Sequence, residues 1–209
     1  MIGLLLAAGS GRRFGGDKLL AELPDGTPVG LASARALAPA VDRLLIGVRA
    51  DDGDLLSRFM GAGYRGPTHQ CAPIEHAECG MGHTLGVLVR STAFIWPDLA
   101  NPALIVALAD MPAVQVRTYA AIADRLRAGA SLVRPVWHGR PGHPVGFAAS
   151  WYAALAASQG DVGARELLVQ AGAECELLDC ADPGVLLDID TAMHLAEVSR
   201  LFSLPPAMP

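Results

Sequence analysis

The chain contains no paired-cysteine motif. Its four cysteines, Cys71, Cys79, Cys175 and Cys180, are scattered without a C-x-x-C, so neither a structural zinc site nor a disulfide framework is indicated, and free thiols in a reducing compartment are expected. There is no long hydrophobic run: 52% of the 209 residues are apolar, yet none of the stretches reaches the roughly 18 to 20 uninterrupted residues of a membrane helix. A water-soluble protein with no membrane partner is therefore expected. Positive charge is not in excess, because the formal net charge is −5. That disfavours a surface for wrapping nucleic acid but permits a local basic pocket. The apolar N-terminal run has no basic residue before it and arginines after it, the reverse of a secretory signal, so a cytoplasmic location is expected. Linkers, charge blocks, internal repeats and low-complexity segments are missing too. One domain over residues 1–202, followed by a loose proline-containing tail at 203–209, is the simplest organisation.

What the chain does have is an alternation of short apolar runs and helical patterns. Ile2 to Ala7 suits a buried strand, and Arg43 to Val48, Ala103 to Ala109 and Ser131 to Trp137 repeat the signal. Thr27-Pro28 offers a capping hydroxyl and an N1 proline for a helix to about Ala38. Asp51 or Asp52 can cap a second helix that Gly61 to Gly63 stop. Further helical segments are expected at Thr84 to Arg90, Gln115 to Ala128, Trp151 to Ala157, Ala164 to Gln170 and Thr191 to Leu201, with a strand near Glu174 to Leu178. Strand-helix alternation of this kind predicts a three-layer α/β/α fold with a doubly wound, mostly parallel, Rossmann-like sheet. Trp96, Trp137 and Trp151 read as core rather than stacking platforms.

The first strand runs straight into a loop rich in small residues and ending in Lys18. Gly9, Gly11, Gly15 and Gly16 permit tight bends that present N–H groups, and Arg13 and Lys18 add fixed positive charge. This suits a polyphosphate cradle. It is not the dinucleotide fingerprint, because Gly9, Gly11 and Gly15 are spaced one residue too long for G-x-G-x-x-G and no helix follows at once. Nor is it a Walker A loop, since Gly16, Asp17, Lys18 and Leu19 lack the Gly-Lys-Ser/Thr order and its magnesium-binding hydroxyl. Asp110, after the apolar strand, falls where open α/β sheets bind ligands, although a carboxylate before Pro112 can equally cap a helix.

The residues Leu6, Ala7, Ala8, Gly9, Gly11, Arg13, Gly15 and Lys18 fit L-A-A-G-x-G-x-R-x-G-x-x-K. This resembles the signature loop of sugar-nucleotide-pyrophosphorylase-like nucleotidyltransferases, and more narrowly of the molybdenum cofactor nucleotidyltransferases with a MobA-like NTP transferase domain. Gly80-Met81-Gly82-His83-Thr84-Leu85, Leu108-Ala109-Asp110-Met111-Pro112, Gly139-Arg140-Pro141-Gly142-His143-Pro144, Gly160-Asp161-Val162-Gly163-Ala164-Arg165 and Asp188-Ile189-Asp190-Thr191 are similar to the family's further segments, in the expected order. Thr84 stands where serine is commoner, and Thr191-Ala192 replaces the usual Thr-Pro.

The resemblance implies a nucleotide-diphospho-sugar-transferase-like fold and transfer of a nucleotide to a phosphorylated acceptor. L-A-A-G with Asp17-Lys18-Leu19-Leu20 is the form of the cytidylyl enzymes, which implies CTP as donor and molybdopterin as acceptor, with a molybdenum hydroxylase apoenzyme receiving the product. On this reading Leu6, Ala7, Ala8, Gly9, Gly11, Arg13, Lys18, Gly80, Gly82 and Asp110 bind nucleotide. Arg13, Lys18 and Asp110 are the catalytic set. Mg2+ sits on Asp110 and Asp190, with Asp188 the less favoured second ligand. Arg140, His143 and Asp161 contact the acceptor, although His143 can instead order a turn and Asp161 cap a helix. GTP or another acceptor is the alternative within the class. An NAD(P)-dependent oxidoreductase and a noncatalytic nucleotide-binding chaperone for a molybdoenzyme are the alternatives outside it.

Overall fold

Strand β1 (Ile2–Ala7) sits in the middle of the sheet because its side chains alternate between two apolar environments. Leu5 and Ala7 join the core on one face, Ile2 and Leu4 the core on the other, as the period-2 geometry of a doubly covered strand requires. The structure is a computed structural model that describes residues 1–9, 11, 13–99, 101–160 and 165–203. Asp161, Val162, Gly163 and Ala164, and the tail from 204, lie outside the described residues.

From β1 the chain passes through α1 (Val29–Leu37) to β2 (Arg43–Arg49), through α2 (Gly53–Gly61) to β3 (His69–Ile74), and through α3 (Met81–Ile95) to β4 (Leu104–Leu108). All four strands are parallel, in the order β3-β2-β1-β4, with Leu4 opposite Leu45 on one side and Val106 on the other. The winding therefore reverses between β1 and β4, which opens a crevice outside their carboxyl ends. Beyond β4 come α4 (Val116–Arg127), β5 (Leu132–Trp137), the two-residue β6 (Arg140–Pro141), β7 (Val145–Phe147), α5 (Tyr152–Ala156), α6 (Arg165–Ala171), β8 (Cys175–Asp179) and α7 (Ala192–Ser203). Strand β7 is inserted antiparallel between β4 and β5, and β8 pairs parallel with β5. The sheet is thus mixed but mostly parallel.

Apolar residues of α1, α2, α4 and α7 cover one face of the sheet, and those of α3, α5 and α6 the other, completing three layers. Helix α3 starts three residues earlier than its pattern suggests and runs five residues further, to Ile95. Its N-terminal half carries Gly82 and Gly86 against the chain that follows α5: a Cβ would lie 2.4 Å from the Gln159 carbonyl at Gly82 and 2.5 Å from that of Ser158 at Gly86. Asp52 caps α2 by accepting from the Leu55 N–H at 3.0 Å. Thr27 does not cap α1, because its hydroxyl donates to Asp25 and Pro28 takes the N-cap position. Cys71, Cys79, Cys175 and Cys180 are free. Among the described residues no helix is long and apolar enough to cross a membrane.

One buried charge holds the C-terminal segment in place. Asp182 has no exposed surface, and its carboxylate accepts from the Gln115 N–H (2.9 Å), the Thr118 hydroxyl (2.5 Å) and the Gly184 N–H (3.0 Å). The loop before α7 is thereby tied to the start of α4, and a Cβ on Gly184 would fall 2.2 Å from the Ala113 carbonyl. Asp182→Ala, which strands three donors at once, is expected to lower the unfolding free energy by about 3 kcal/mol. A denaturant midpoint within error of the parent would show that solvent satisfies those donors instead.

Candidate active site

The loop after β1 closes on itself through Phe14 N–H to Gly11 C=O (2.9 Å) and Lys18 N–H to Gly16 C=O (3.0 Å). Gly11 adopts φ +55°, and a Cβ there would press against the Gly16 carbonyl at 3.1 Å, so glycine is needed at this position. The turn carries the Lys18 side chain inward. Its ammonium donates to Asp110 Oδ2 at 2.6 Å and to Asp190 Oδ1 at 3.0 Å, while the exposed Arg13 reaches Asp190 Oδ2 at 3.1 Å. Loop, β4 end and C-terminal segment thus meet at one point.

Each partner is placed by backbone contacts. The Ala109 N–H donates to the Leu6 carbonyl at 3.0 Å and the Ser33 hydroxyl to the Ala109 carbonyl at 2.8 Å, which holds Asp110 just past β4. The Ile189 N–H donates to the Asp110 carbonyl at 2.9 Å. Ile189 is fully buried, so its neighbours Asp188 and Asp190 turn outward toward the crevice. The electrostatics follow from this. Burial opposes the Lys18 charge, but Asp110 and Asp190 outweigh it and hold the ammonium above the usual lysine range. Burial raises Asp110, with Lys18 offsetting part of the effect and Asp188 adding to it. The hydrogen bond from Lys18, helped by Arg13, holds Asp190 below the usual carboxylate range.

A cavity of about 930 Å³ extends from this cluster along the strand ends. Leu6, Ala8, Gly9, Arg13, Lys18, Gly80 and Asp110, all expected at a nucleotide site, line it. Ala7, Gly11 and Gly82 do not. Ala7 faces the opposite core, Gly11 packs behind Lys18, and the Gly82 N–H is taken by the Gly160 carbonyl at 2.7 Å. Arg140 is exposed on β6 and His143 half-buried beside Val185, both outside the cavity lining. The His83 ring bonds the Glu75 carbonyl at 2.9 Å.

Arg49, Asp51, His76 and Glu78 also line the cavity, and nothing in the local sequence pattern marks them as site residues, Asp51 reading only as a candidate helix cap. Arg49 and Asp51 form a two-pronged ion pair at 2.8 Å, and His76 lies 3.3 Å from Glu78. Their signal is topological: Arg49 ends β2, and Asp51, His76 and Glu78 come within a few residues after β2 and β3, whose carboxyl ends share the edge occupied by the glycine loop.

The donor set fits a hard divalent cation. Among the described residues no group of three or more His, Cys, Asp or Glu is arranged around a metal position, but Mg2+ takes only one or two protein carboxylates and keeps its waters. Asp110 Oδ1 is buried without a hydrogen-bond partner, which leaves an acceptor to be satisfied.

Residues 3–175 match the MobA-like NTP transferase domain family. The chain is 31% identical over 212 residues to the purine catabolism protein PucB of Bacillus subtilis, an alignment spanning 97% of this chain and 98% of that one. In fold it is similar to Rv0371c of Mycobacterium tuberculosis, with TM-score 0.77 at 24% identity over 95% of this chain and 96% of that one. A structure of Rv0371c in complex with manganese gives TM-score 0.71 at 23% identity over 95% and 97%. A nucleotidyl transferase from Methanothermobacter gives TM-score 0.77 at 18% identity over 97% of each chain.

His143 yields a pH prediction. Its Nδ1 is buried without a partner, and burial, with the Arg134 charge adding and Asp188 opposing, pushes the imidazole down to about 4. An unfolded histidine titrates near 6.5, so below that pH the unfolded chain binds a proton that the native site refuses. The native advantage is complete above about 6.5 and falls by about 1.4 kcal/mol per pH unit until the native site also protonates. Denaturant titrations at pH 7 and pH 5 should show a steeper loss in the parent than in His143→Gln; equal losses would count against a buried neutral imidazole.

Proposed function

The chain belongs to the MobA-like NTP transferase domain family and is a nucleotidyltransferase, and on that premise we propose that it joins CMP from CTP to molybdopterin and releases pyrophosphate. The observation that carries this reading is the juxtaposition of Lys18 and Arg13 with Asp110 and Asp190 at one end of a strand-edge cavity. Adjacent strands lie about 4.8 Å apart, so the ends of β4, β1, β2 and β3 span about 14 Å, enough for an extended nucleotide. Its triphosphate would lie against the Gly9 to Gly16 backbone, and Ala8 would face the base. The terminal phosphate of molybdopterin, already anionic, attacks the α-phosphorus of CTP. A new P–O bond forms as the bond from the α-phosphorus to the bridging oxygen breaks, and the electron pair leaves with pyrophosphate. Lys18 and Arg13 balance the charge developing on that leaving group.

Mg2+ would be held by Asp110 and Asp190 and, when bound, would neutralise phosphate oxygens. The manganese complex of Rv0371c is consistent with a divalent cation in this fold. On the acceptor side His143, kept uncharged, would contact the neutral heterocycle, and exposed Arg140 would supply charge, with Asp161 as a third contact. The name of the relative, purine catabolism protein PucB, fits a role in purine breakdown, for which we take the cytoplasm as the location and a molybdenum hydroxylase apoenzyme as the recipient. The whole of residues 1–202 would serve as one NTP transferase domain.

Pyrophosphate release with CTP, GTP, ATP or UTP, Mg2+ and molybdopterin tests the reading directly. CTP is expected to be turned over fastest; release with GTP alone would move the assignment to a guanylyl enzyme, and release with none of the four would exclude the acceptor. Lys18→Ala and Arg13→Ala should each reduce turnover by about 10²-fold or more, and Asp110→Asn should abolish it. Full turnover in the Asp110→Asn variant would leave that carboxylate only as a partner of Lys18; it does not cap α4, which begins at Val116. Ala8→Gly is expected to narrow the ratio of CTP to GTP rates, and an unaltered ratio would remove Ala8 as a base selector.

A further inference from the structure

Lys18 does more here than point at a phosphate site. Its ammonium lies between the two carboxylates assigned to the metal, 2.6 Å from Asp110 Oδ2 and 3.0 Å from Asp190 Oδ1, as a single positive charge shared by oxygens that a divalent cation would also need. A divalent ion on those oxygens and an ammonium in the same contacts repel at close range in a partly desolvated site. Only one can hold the position. Lys18 also lines the nucleotide cavity beside Gly9 and Arg13, so an incoming triphosphate offers the ammonium another anionic partner. Its backbone is anchored through the N–H to Gly16 and the carbonyl accepting from Ala21, so a change of partner requires only the side chain to turn.

We propose, resting on the metal and nucleotide assignment above, that Lys18 excludes divalent cations from Asp110 and Asp190 until nucleotide phosphate draws it away. Metal and nucleotide then bind as a coupled pair, each raising the affinity of the other by the same factor. Arg13, which holds Asp190 from the solvent side at 3.1 Å, is drawn by the same phosphates. Asp190 is thereby released by both of its cationic partners at once. Metal loading without nucleotide, which would leave the carboxylates occupied and the phosphate cradle unformed, is suppressed.

Water-proton relaxation by Mn2+, measured on the full chain without nucleotide, tests this independently of catalysis. Lys18→Met, and Lys18→Gln as a parallel polar variant, are expected to bind Mn2+ at least 10-fold more tightly than the parent, while Lys18→Arg, which keeps the charge, stays weak. Adding Asp110→Asn to Lys18→Met should abolish the gain. Unchanged Mn2+ affinity in both neutral variants overturns the proposal. If the parent binds Mn2+ as tightly as they do and Asp110→Asn removes it, exclusion by Lys18 fails while the metal site stands. If no variant binds Mn2+ even with CTP present, the metal assignment and this proposal fall together. Thermal unfolding of the same samples, with Mn2+ raising the midpoint of the neutral variants more than that of the parent, provides the second readout.

Discussion

The requirement to pair the buried Lys18 ammonium organises this end of the molecule. Lys18 retains only about 9% of its surface, and an unpaired ammonium in such a place is costly enough that it must find carboxylates or lose its proton. It finds two, one directly after β4 and the other just before α7, so three distant stretches of chain converge on one nitrogen. A salt bridge in this setting adds little net stability, because desolvation cancels much of the attraction. Stability alone therefore does not explain a lysine at this point, whereas the proposed nucleotidyl transfer would use both the cation and the carboxylates at the leaving group.

The elements whose information is local were legible in the sequence. Ile2 to Ala7 and the apolar runs ending at Val48, Ala109 and Trp137 became strands, and Asp52 became the cap it resembles. Thr27 shows the limit: the residues of a capping motif are present, but Asp25 competes for the hydroxyl and takes it. The antiparallel insertion of β7 between β4 and β5 could not be read at all, since periodicity says which residues are buried and nothing about which strand lies alongside. Asp182 escaped notice for the same reason, because its donors Gln115 and Thr118 lie more than sixty residues away.

The candidate site divides along the same line. Gly9, Gly11, Arg13 and Lys18 announce themselves because small residues and fixed charges cluster within one loop, and Asp110 because it ends an apolar strand. Arg49, Asp51, His76 and Glu78 become site residues only through the parallel sheet, which brings the ends of β2 and β3 to the edge where β1 delivers its loop. Gly82 shows the reverse effect. It belongs to a loop that resembles a nucleotide-contacting segment, yet its missing side chain makes room for the Gln159 carbonyl and its N–H is bonded to Gly160. Its part is to place α3, and through α3 to place Gly80, Met81 and Thr84 on the cavity wall.

Asp188 connects the two sides of the crevice. It is exposed, and its charge acts on both Asp110 and His143, so the proposed metal side and the proposed acceptor side share a carboxylate that binds neither tightly. His143 remains uncharged because burial and Arg134 outweigh Asp188. An uncharged imidazole cannot attract a phosphate by charge, but it can exchange hydrogen bonds with a neutral ring. On the proposed reading, charge for the acceptor's phosphate would come from Arg140 beside it and from Arg13 and Lys18 at the cavity. In the proposed reaction, cations and glycines would gather the phosphates while a neutral imidazole would hold the acceptor's heterocycle, where no net charge is needed.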